Sequence, residues 1–156
     1  MSSEDVVQYV MHVGICVENL ERSQRFYTEA LGFKEAGGLE VAGEPTATML
    51  GLEALELHAV YLDREGFRIE LLHYPVPGSV GEAVARPMNQ LGLTHFALRV
   101  DDLEQAVERI VAHGGQVLES TRVHNAEFGS HLVYATDPDG TRLELVQTAV
   151  DPTRPS

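Results

Sequence analysis

The fold of this chain is decided by the stretch GFRIEL, residues 66–71, because a near copy, GTRLEL, follows at residues 140–145. A turn-forming sequence leads into each copy, DREG into the first and DPDG into the second. Each strand carries one glutamate between apolar neighbours, Glu70 in the first and Glu144 in the second. Because strand, turn and acid repeat together, the sequence predicts a duplicated architecture.

A second pair of matching segments begins at a histidine. HVGICVENLE, which starts at His12, aligns with HFALRVDDLE, which starts at His95. Each segment reads as a strand that leads into a helix, with Asn19 and Asp102 as the helix N-caps. The chain therefore passes twice through the order histidine strand, helix, strands and glutamate strand.

This repeat predicts an α+β fold of two tandem βαβββ modules whose strands form a cupped mixed sheet. We expect the first module at residues 7–74 and the second at residues 94–149, together one domain. The segment between them, residues 75–93, is rich in proline and glycine and reads as a linker. With 156 residues, the chain is long enough to bury a substantial core.

Composition narrows the possible partners. The formal net charge of −13 disfavours nucleic acid and anionic membranes. No apolar run approaches the ~20 residues of a membrane span, and residues 1–5 lack the features of a secretion signal, so we expect a cytoplasmic protein that acts on a small molecule. Cys16 is the single cysteine, so a metal here must be held by histidine and carboxylate.

Four side chains at matching points of the repeat are candidate metal ligands. Side chains alternate along a strand, so Glu70 and Glu144 face away from their apolar neighbours, and His12 and His95 are placed on the same face of their modules. A carboxylate in such a sheet is costly unless it is paired or bound to a metal. Two imidazoles and two carboxylates suit Fe²⁺, Co²⁺, Ni²⁺, Mn²⁺ or Zn²⁺.

These residues resemble the vicinal oxygen chelate superfamily, whose members include glyoxalase I, methylmalonyl-CoA epimerase, extradiol dioxygenases and bleomycin-resistance proteins. The resemblance covers nearly the whole chain, and DPDG before LEL resembles the usual ending of the family. It implies metal ligands on the first and last strands of each module, which are His12, Glu70, His95 and Glu144 here.

The resemblance also implies a reaction class. Lyases and epimerases of the superfamily remove a proton next to a carbonyl and stabilise the enediolate on a divalent metal, and we expect this protein to be such an enzyme. Extradiol dioxygenases use two histidines and one carboxylate, so the second carboxylate, Glu70, argues against that alternative. The other alternative is a metal-free module that binds a small molecule or an antibiotic.

Resemblance to glyoxalase I implies that a metal-bound glutamate acts as the base, Glu144 first and Glu70 second. The positions of the glutathione-binding arginine and asparagine hold Cys16 and Tyr74 here, which weakens glutathione as a cosubstrate and leaves both residues as pocket candidates. Arg99 is the repeat partner of Cys16, and strand parity places it on the ligand face as a candidate anion anchor.

A register argument adds three candidates. If the turn before the first glutamate strand is a bulged three-residue loop, Val60 lies opposite Glu70. Glu56 and His58 would then share the ligand face, as a catalytic base and a substrate-binding residue. In the second copy the same pairing places Tyr134 on this face. A one-residue change in the turn would reverse the assignment.

The assembly has two possible forms. The two modules of one chain could complete the site, or the module of one chain could meet that of a partner in a swapped dimer. We expect a homodimer, because sheets of this kind tend to pair across a two-fold axis.

Overall fold

The structure, a computed structural model, describes residues 6–150. Residues 1–5, on which the expected location rests, and residues 151–156 lie outside the described part. The strands are β1 (Val13–Cys16), β2 (Lys34–Ala42), β3 (Glu56–Arg64), β4 (Phe67–Val76), β5 (Phe96–Val100), β6 (Gln116–Asn125), β7 (Ser130–Thr136) and β8 (Arg142–Gln147). The helices are α1 (Leu20–Arg25), extended by a π-helical turn (Phe26–Ala30), α2 (Thr46–Leu50) and α3 (Leu103–Ala112).

The eight strands form two sheets with the same topology. Their orders are β1-β4-β3-β2 and β5-β8-β7-β6. The first strand of each module runs parallel to the last one, and the remaining pairs are antiparallel. The predicted fold of two tandem βαβββ modules is confirmed.

Both modules also start their helix in the same way. The Asn19 side chain accepts a hydrogen bond from the backbone N–H of Arg22 at 2.9 Å, and Asp102 accepts one from that of Gln105 at 2.9 Å. Both predicted N-caps are confirmed, because these side chains satisfy a donor that the first helical turn leaves free. None of the helices in residues 6–150 has the length and apolar character that crossing a bilayer requires.

One core joins the two modules. The apolar residues that flank both glutamates, Ile69, Leu71, Leu143 and Leu145, are fully buried in a single cluster. The helical segments supply the centre of this cluster through Phe26, Tyr27 and Ile110. The helix-facing sides of both sheets therefore point toward each other, around the helices.

A buried carboxylate ties the first module to the second. Asp137, in the turn between β7 and β8, is 1% exposed and accepts a hydrogen bond from the Tyr27 hydroxyl at 2.9 Å. Its other oxygen accepts from the backbone N–H groups of Asp139 and Thr141. Burial raises the pKa of Asp137, against the effect of these hydrogen bonds. One side chain thus shapes its own turn and anchors the π-helical turn of the other module.

The segment that connects the two modules packs against the same turn between β7 and β8. Gly140 has a φ of 89°, and a Cβ there would lie 2.6 Å from the backbone of Val84. Arg142 also donates a hydrogen bond to the backbone carbonyl of Arg86 at 2.6 Å. Gly140 is therefore required both by its conformation and by the chain that crosses it.

Replacing Tyr27 by Phe should lower the free energy of unfolding by about 1–3 kcal/mol, because the buried Asp137 oxygen would lose its phenolic donor. Urea denaturation measures this difference. Tyr9→Phe is the control, since Tyr9 is 70% exposed and its substitution should change stability by less than about 0.5 kcal/mol. Equal effects of the two substitutions would contradict the role given to the Tyr27 hydroxyl.

Candidate metal centre

The first candidate ligand pair lies beside the parallel contact of β1 and β4. Gly14 pairs with Glu70 in this register, and His12 precedes β1 on the same face. The Nε2 atom of His12 lies 3.0 Å from Oε2 of Glu70, and the two side chains are 30% and 13% exposed. The imidazole and the carboxylate therefore point to one place on the open face of the sheet.

The second pair repeats this geometry in the other module. Ala97 pairs with Glu144 between the parallel strands β5 and β8, and Nε2 of His95 lies 3.0 Å from Oε2 of Glu144. The other ring nitrogen, Nδ1, lies 2.9 Å from the Thr94 hydroxyl oxygen. A contact at Nδ1 fixes the ring so that Nε2 faces the glutamate, as second-sphere contacts do for metal-binding histidines.

Each half-site also contains a tyrosine and an arginine. The tyrosine lies directly opposite the glutamate in the antiparallel strand pair, and its ring centroid is 5.6 Å or 5.4 Å from that of the histidine. The arginine Cζ lies 5.9 Å from the tyrosine centroid in both cases. The two quartets are His12, Glu70, Tyr61 and Arg68, and His95, Glu144, Tyr134 and Arg142.

The pKa values of both phenols are raised above their ordinary value. The pKa of Tyr61 is raised, first by hydrogen bonding to the Glu70 carboxylate and then by burial. The pKa of Tyr134 is raised first by burial and then by the charge of Glu144. Both tyrosines are thus O–H donors beside an acid at neutral pH.

Sequence reasoning missed Tyr61, Arg68 and Arg142. The arginines had a visible signal, since each stands two residues before the glutamate of its copy, in RIE and RLE. Tyr61 was hidden by the register error described next. The structure places Tyr134 opposite Glu144, on the predicted face.

The predicted register of the first hairpin is wrong by one residue. Arg64 pairs with Phe67, so the loop has only two residues, and both have positive φ angles, 47° and 80°. A two-residue turn of this kind suits the twist of the flanking strands better than the bulge we expected. Tyr61, rather than Val60, therefore lies opposite Glu70.

Because the predicted register is wrong, the predicted placement of Glu56 and His58 on the ligand face is also wrong. His58 pairs with His73, whose ring centroid is 6.2 Å away, and its Nε2 atom lies 3.2 Å from Oε1 of Glu56. Side-chain alternation puts this cluster on the face opposite Glu70. The structure therefore contradicts the predicted placement of Glu56 and His58 on the ligand face.

The wall beside Glu70 is apolar. Cys16 and Tyr74 lie on the Glu70 face, as strand alternation predicts. Tyr74 packs against a buried cluster below α2 that contains Ala47, Leu55, Leu57 and Ala59. Burial raises the pKa of Tyr74, and the pKa of the Cys16 thiol is raised by burial and by the charge of Asp139. Cys16 is therefore a weak nucleophile.

Arg99 shares the face of Glu144, as predicted, but its guanidinium is engaged by the backbone. It donates hydrogen bonds to the carbonyl oxygens of Thr148, at 3.2 and 3.0 Å, and Ala149, at 3.2 Å. Arg99 and Glu144 line a cavity of about 1020 Å³. Its apolar lining residues include Phe67, Phe96, Leu98, Phe128, Leu132 and Val146.

The two ligand pairs do not meet within one chain. Over residues 6–150, no group of three or more histidine, cysteine, aspartate or glutamate side chains is arranged to hold a metal ion. The shared core explains this separation, because Glu70 and Glu144 point away from the flanking residues buried in it. Each pair nevertheless fits a divalent cation, since it offers one imidazole nitrogen and one carboxylate on an accessible face.

Comparison with known proteins identifies the family. Residues 9–145 match the family model described as Glyoxalase/Bleomycin resistance protein/Dioxygenase superfamily. The chain belongs to this superfamily. The glyoxalase superfamily fold is also found in a glyoxalase family protein from Bacillus cereus, with a TM-score of 0.80 at 22% identity over 95% of this chain and 99% of that one.

Two relatives in the superfamily differ in length. The uncharacterized protein YaeR of Escherichia coli is 31% identical over 90% of this chain and 97% of its own length. The putative lactoylglutathione lyase of Brassica oleracea is 28% identical over 91% of this chain but 45% of its own length. The chain thus spans about half of the latter relative.

Alkylation of Cys16 by iodoacetamide should titrate at a higher pH in the folded chain than in urea, because the pKa of the folded thiol is raised above its usual 9.0. Rates measured by mass spectrometry across pH give both midpoints. Asp139→Asn should lower the midpoint of the folded chain by removing a nearby charge. A folded midpoint at or below that of the unfolded chain would instead indicate an activated thiol.

Proposed function

We propose that this protein is a metal-dependent enzyme of the lyase or epimerase type, which removes a proton next to a carbonyl group. The observation that carries the proposal is the pair of matched half-sites, each with Nε2 of a histidine 3.0 Å from a glutamate oxygen. A structural role explains one such pair, but two at equivalent points of a repeat, on open faces, are better explained by a shared ligand.

His12, Glu70, His95 and Glu144 would hold the ion. When bound, a divalent cation would supply Lewis acidity to the substrate's oxygen atoms and stabilise negative charge that develops on them. Two carboxylates and two imidazoles would hold the ion and would leave room beside it for those oxygens. This full set favours a lyase or epimerase over a dioxygenase, which keeps three positions open.

Glu144 is the better placed of the two glutamates to accept the substrate proton. Its side chain is 21% exposed against 13% for Glu70, and it lines the large cavity. Glu70 also has Tyr61 directly opposite in the antiparallel strand pair. We therefore assign Glu144 as the base and Glu70 as the more buried ligand, with Tyr134 as a protonated donor beside the reacting group.

The substrate is proposed to be small and largely apolar around its oxygen atoms. Tyr74 packs against an apolar cluster, and the guanidinium of Arg99 is bound to backbone carbonyls. These surroundings offer little to the charged ends of glutathione. Although the Brassica relative is named a putative lactoylglutathione lyase, we propose that this chain uses a different carbonyl compound.

The site is proposed to form between two chains. The ligand faces of one chain point away from its shared core, so His12 and Glu70 need the second module of another copy to complete the set. A homodimer with two-fold symmetry would build two such sites at once.

Glu144→Gln should reduce deuterium uptake from D₂O into the substrate by about 10²–10⁴-fold, because the proton acceptor is lost. The assay is mass spectrometry of carbonyl compounds and thioesters incubated with metal-loaded protein. Glu56→Gln is the matched control, since Glu56 also lies 3.2 Å from a histidine but on the opposite face, and it should leave uptake unchanged.

Assays on the unsubstituted protein distinguish the proposed enzyme from the two alternative functions. Failure to retain any divalent ion after reconstitution would reject the enzyme and favour a metal-free binding module. Oxygen consumption with catechols, without deuterium uptake in any substrate, would indicate a dioxygenase.

Mixing Glu70→Gln and Glu144→Gln chains should restore activity if each site uses two chains. In a heterodimer one site would carry both substitutions and the other neither. Equal mixing with free exchange gives half heterodimers, so about a quarter of all sites should recover. Deuterium uptake by the mixture, compared with each variant alone, measures this recovery. No recovery in verified heterodimers would place all four ligands in one chain.

A further inference from the structure

Two histidines face each other on the hairpin of β6 and β7, away from the ligand pairs. His124 pairs with His131 in the antiparallel register. Their Nδ1 atoms lie 3.2 Å apart, and their ring centroids are separated by 4.2 Å with a tilt of 38°. Both residues are exposed, so no burial or packing requirement explains two imidazoles in this contact.

The distance between the two nitrogens suits a shared cation. Imidazole nitrogens bind Zn²⁺ at about 2.0–2.1 Å, so two ligand atoms 3.2 Å apart subtend roughly 100° at the ion. This value lies between the tetrahedral and octahedral angles. Without an ion, the close contact between the two Nδ1 atoms is favourable only if one ring donates its hydrogen to the other.

The hairpin holds the two rings in register. Asn125 pairs with Ser130 next to the histidines, and its side-chain oxygen accepts hydrogen bonds from the backbone N–H groups of Glu127 and Phe128. Strand pairing and a closed turn therefore fix the two backbones before any ion arrives. Such preorganisation favours chelation over binding to a single histidine.

We propose that His124 and His131 form a second, exposed binding site for a borderline divalent cation such as Ni²⁺, Cu²⁺ or Zn²⁺. Two neutral imidazoles with water in the remaining positions select these ions over Mg²⁺ and Ca²⁺, which prefer oxygen ligands. The bound cation would join the two strands at the turn between β6 and β7. This turn contains Phe128, which lines the same cavity as Glu144. Cation binding would thus restrict one wall of that cavity.

The test uses Ni²⁺ and the full chain with His12→Gln and His95→Gln, which removes both imidazoles of the proposed metal centre. Calorimetry should detect one Ni²⁺ per chain in this background. Adding His124→Gln or His131→Gln should weaken binding at least tenfold. His113→Gln is the matched control, because its Nδ1 contacts the Arg109 carbonyl and no second imidazole, and it should leave the affinity unchanged.

The result is independent of the proposed function, because the background lacks both imidazoles of that site and keeps only its two carboxylates. Circular dichroism checks that each variant is folded, and a second readout needs no further substitution. Zn²⁺ should shift the ring ¹⁵N signals of His124 and His131 together in the background chain. No binding in the background, unchanged affinity in His131→Gln, or a shift of only one ring would overturn the proposal.

Discussion

The parallel pairing of the first and last strand in each module is the constraint on which the candidate site depends. It sets Gly14 beside Glu70 and Ala97 beside Glu144, and so brings the histidine two residues earlier next to the glutamate. A parallel neighbour needs a crossover, and the helix of each module provides it. In each module, both the helix and the ligand pair therefore follow from this parallel strand pairing.

The helices that form these crossovers also keep the two ligand pairs of one chain apart. Because the helix sides of both sheets share one core, each glutamate faces outward while its neighbours, such as Leu71 and Leu145, are buried. The alternation of side chains that creates each half-site thus separates it from the other within a chain. The proposed need for a second copy follows from how the monomer buries its apolar surface.

Much of this organisation could be predicted from the sequence, because the repeat carries it. The glutamate strands align without a gap, and both N-caps have the expected chemistry. The error arose at the first turn, where we expected a bulged three-residue loop and the structure has a two-residue loop. The pairing we expected holds for Tyr134 and Glu144, but the first hairpin is tighter, with Glu65 and Gly66 both at positive φ. The periodicity of the sequence does not encode this one-residue difference in loop length. The difference determines on which face of the sheet Glu56 lies.

The hydrogen bond between Tyr27 and Asp137, which joins the two modules, could not be predicted from the local sequence either. The aspartate that begins DPDG looks like an ordinary turn residue, and only the tertiary structure shows that it is buried against Tyr27. The same holds for the separation of the ligand pairs, since strand parity defines faces without defining how two sheets are arranged. Long-range packing, not local propensity, settles both points.

The aspartates that open the two turns have taken different roles since the duplication. Asp63 stays near the surface and forms an ion pair with Arg68, whose guanidinium lowers its pKa. Asp137 became the internal acceptor for a phenol from the other half. The two halves are consequently no longer equivalent building blocks. A chain built from two copies of either half would lack this joint between Tyr27 and Asp137.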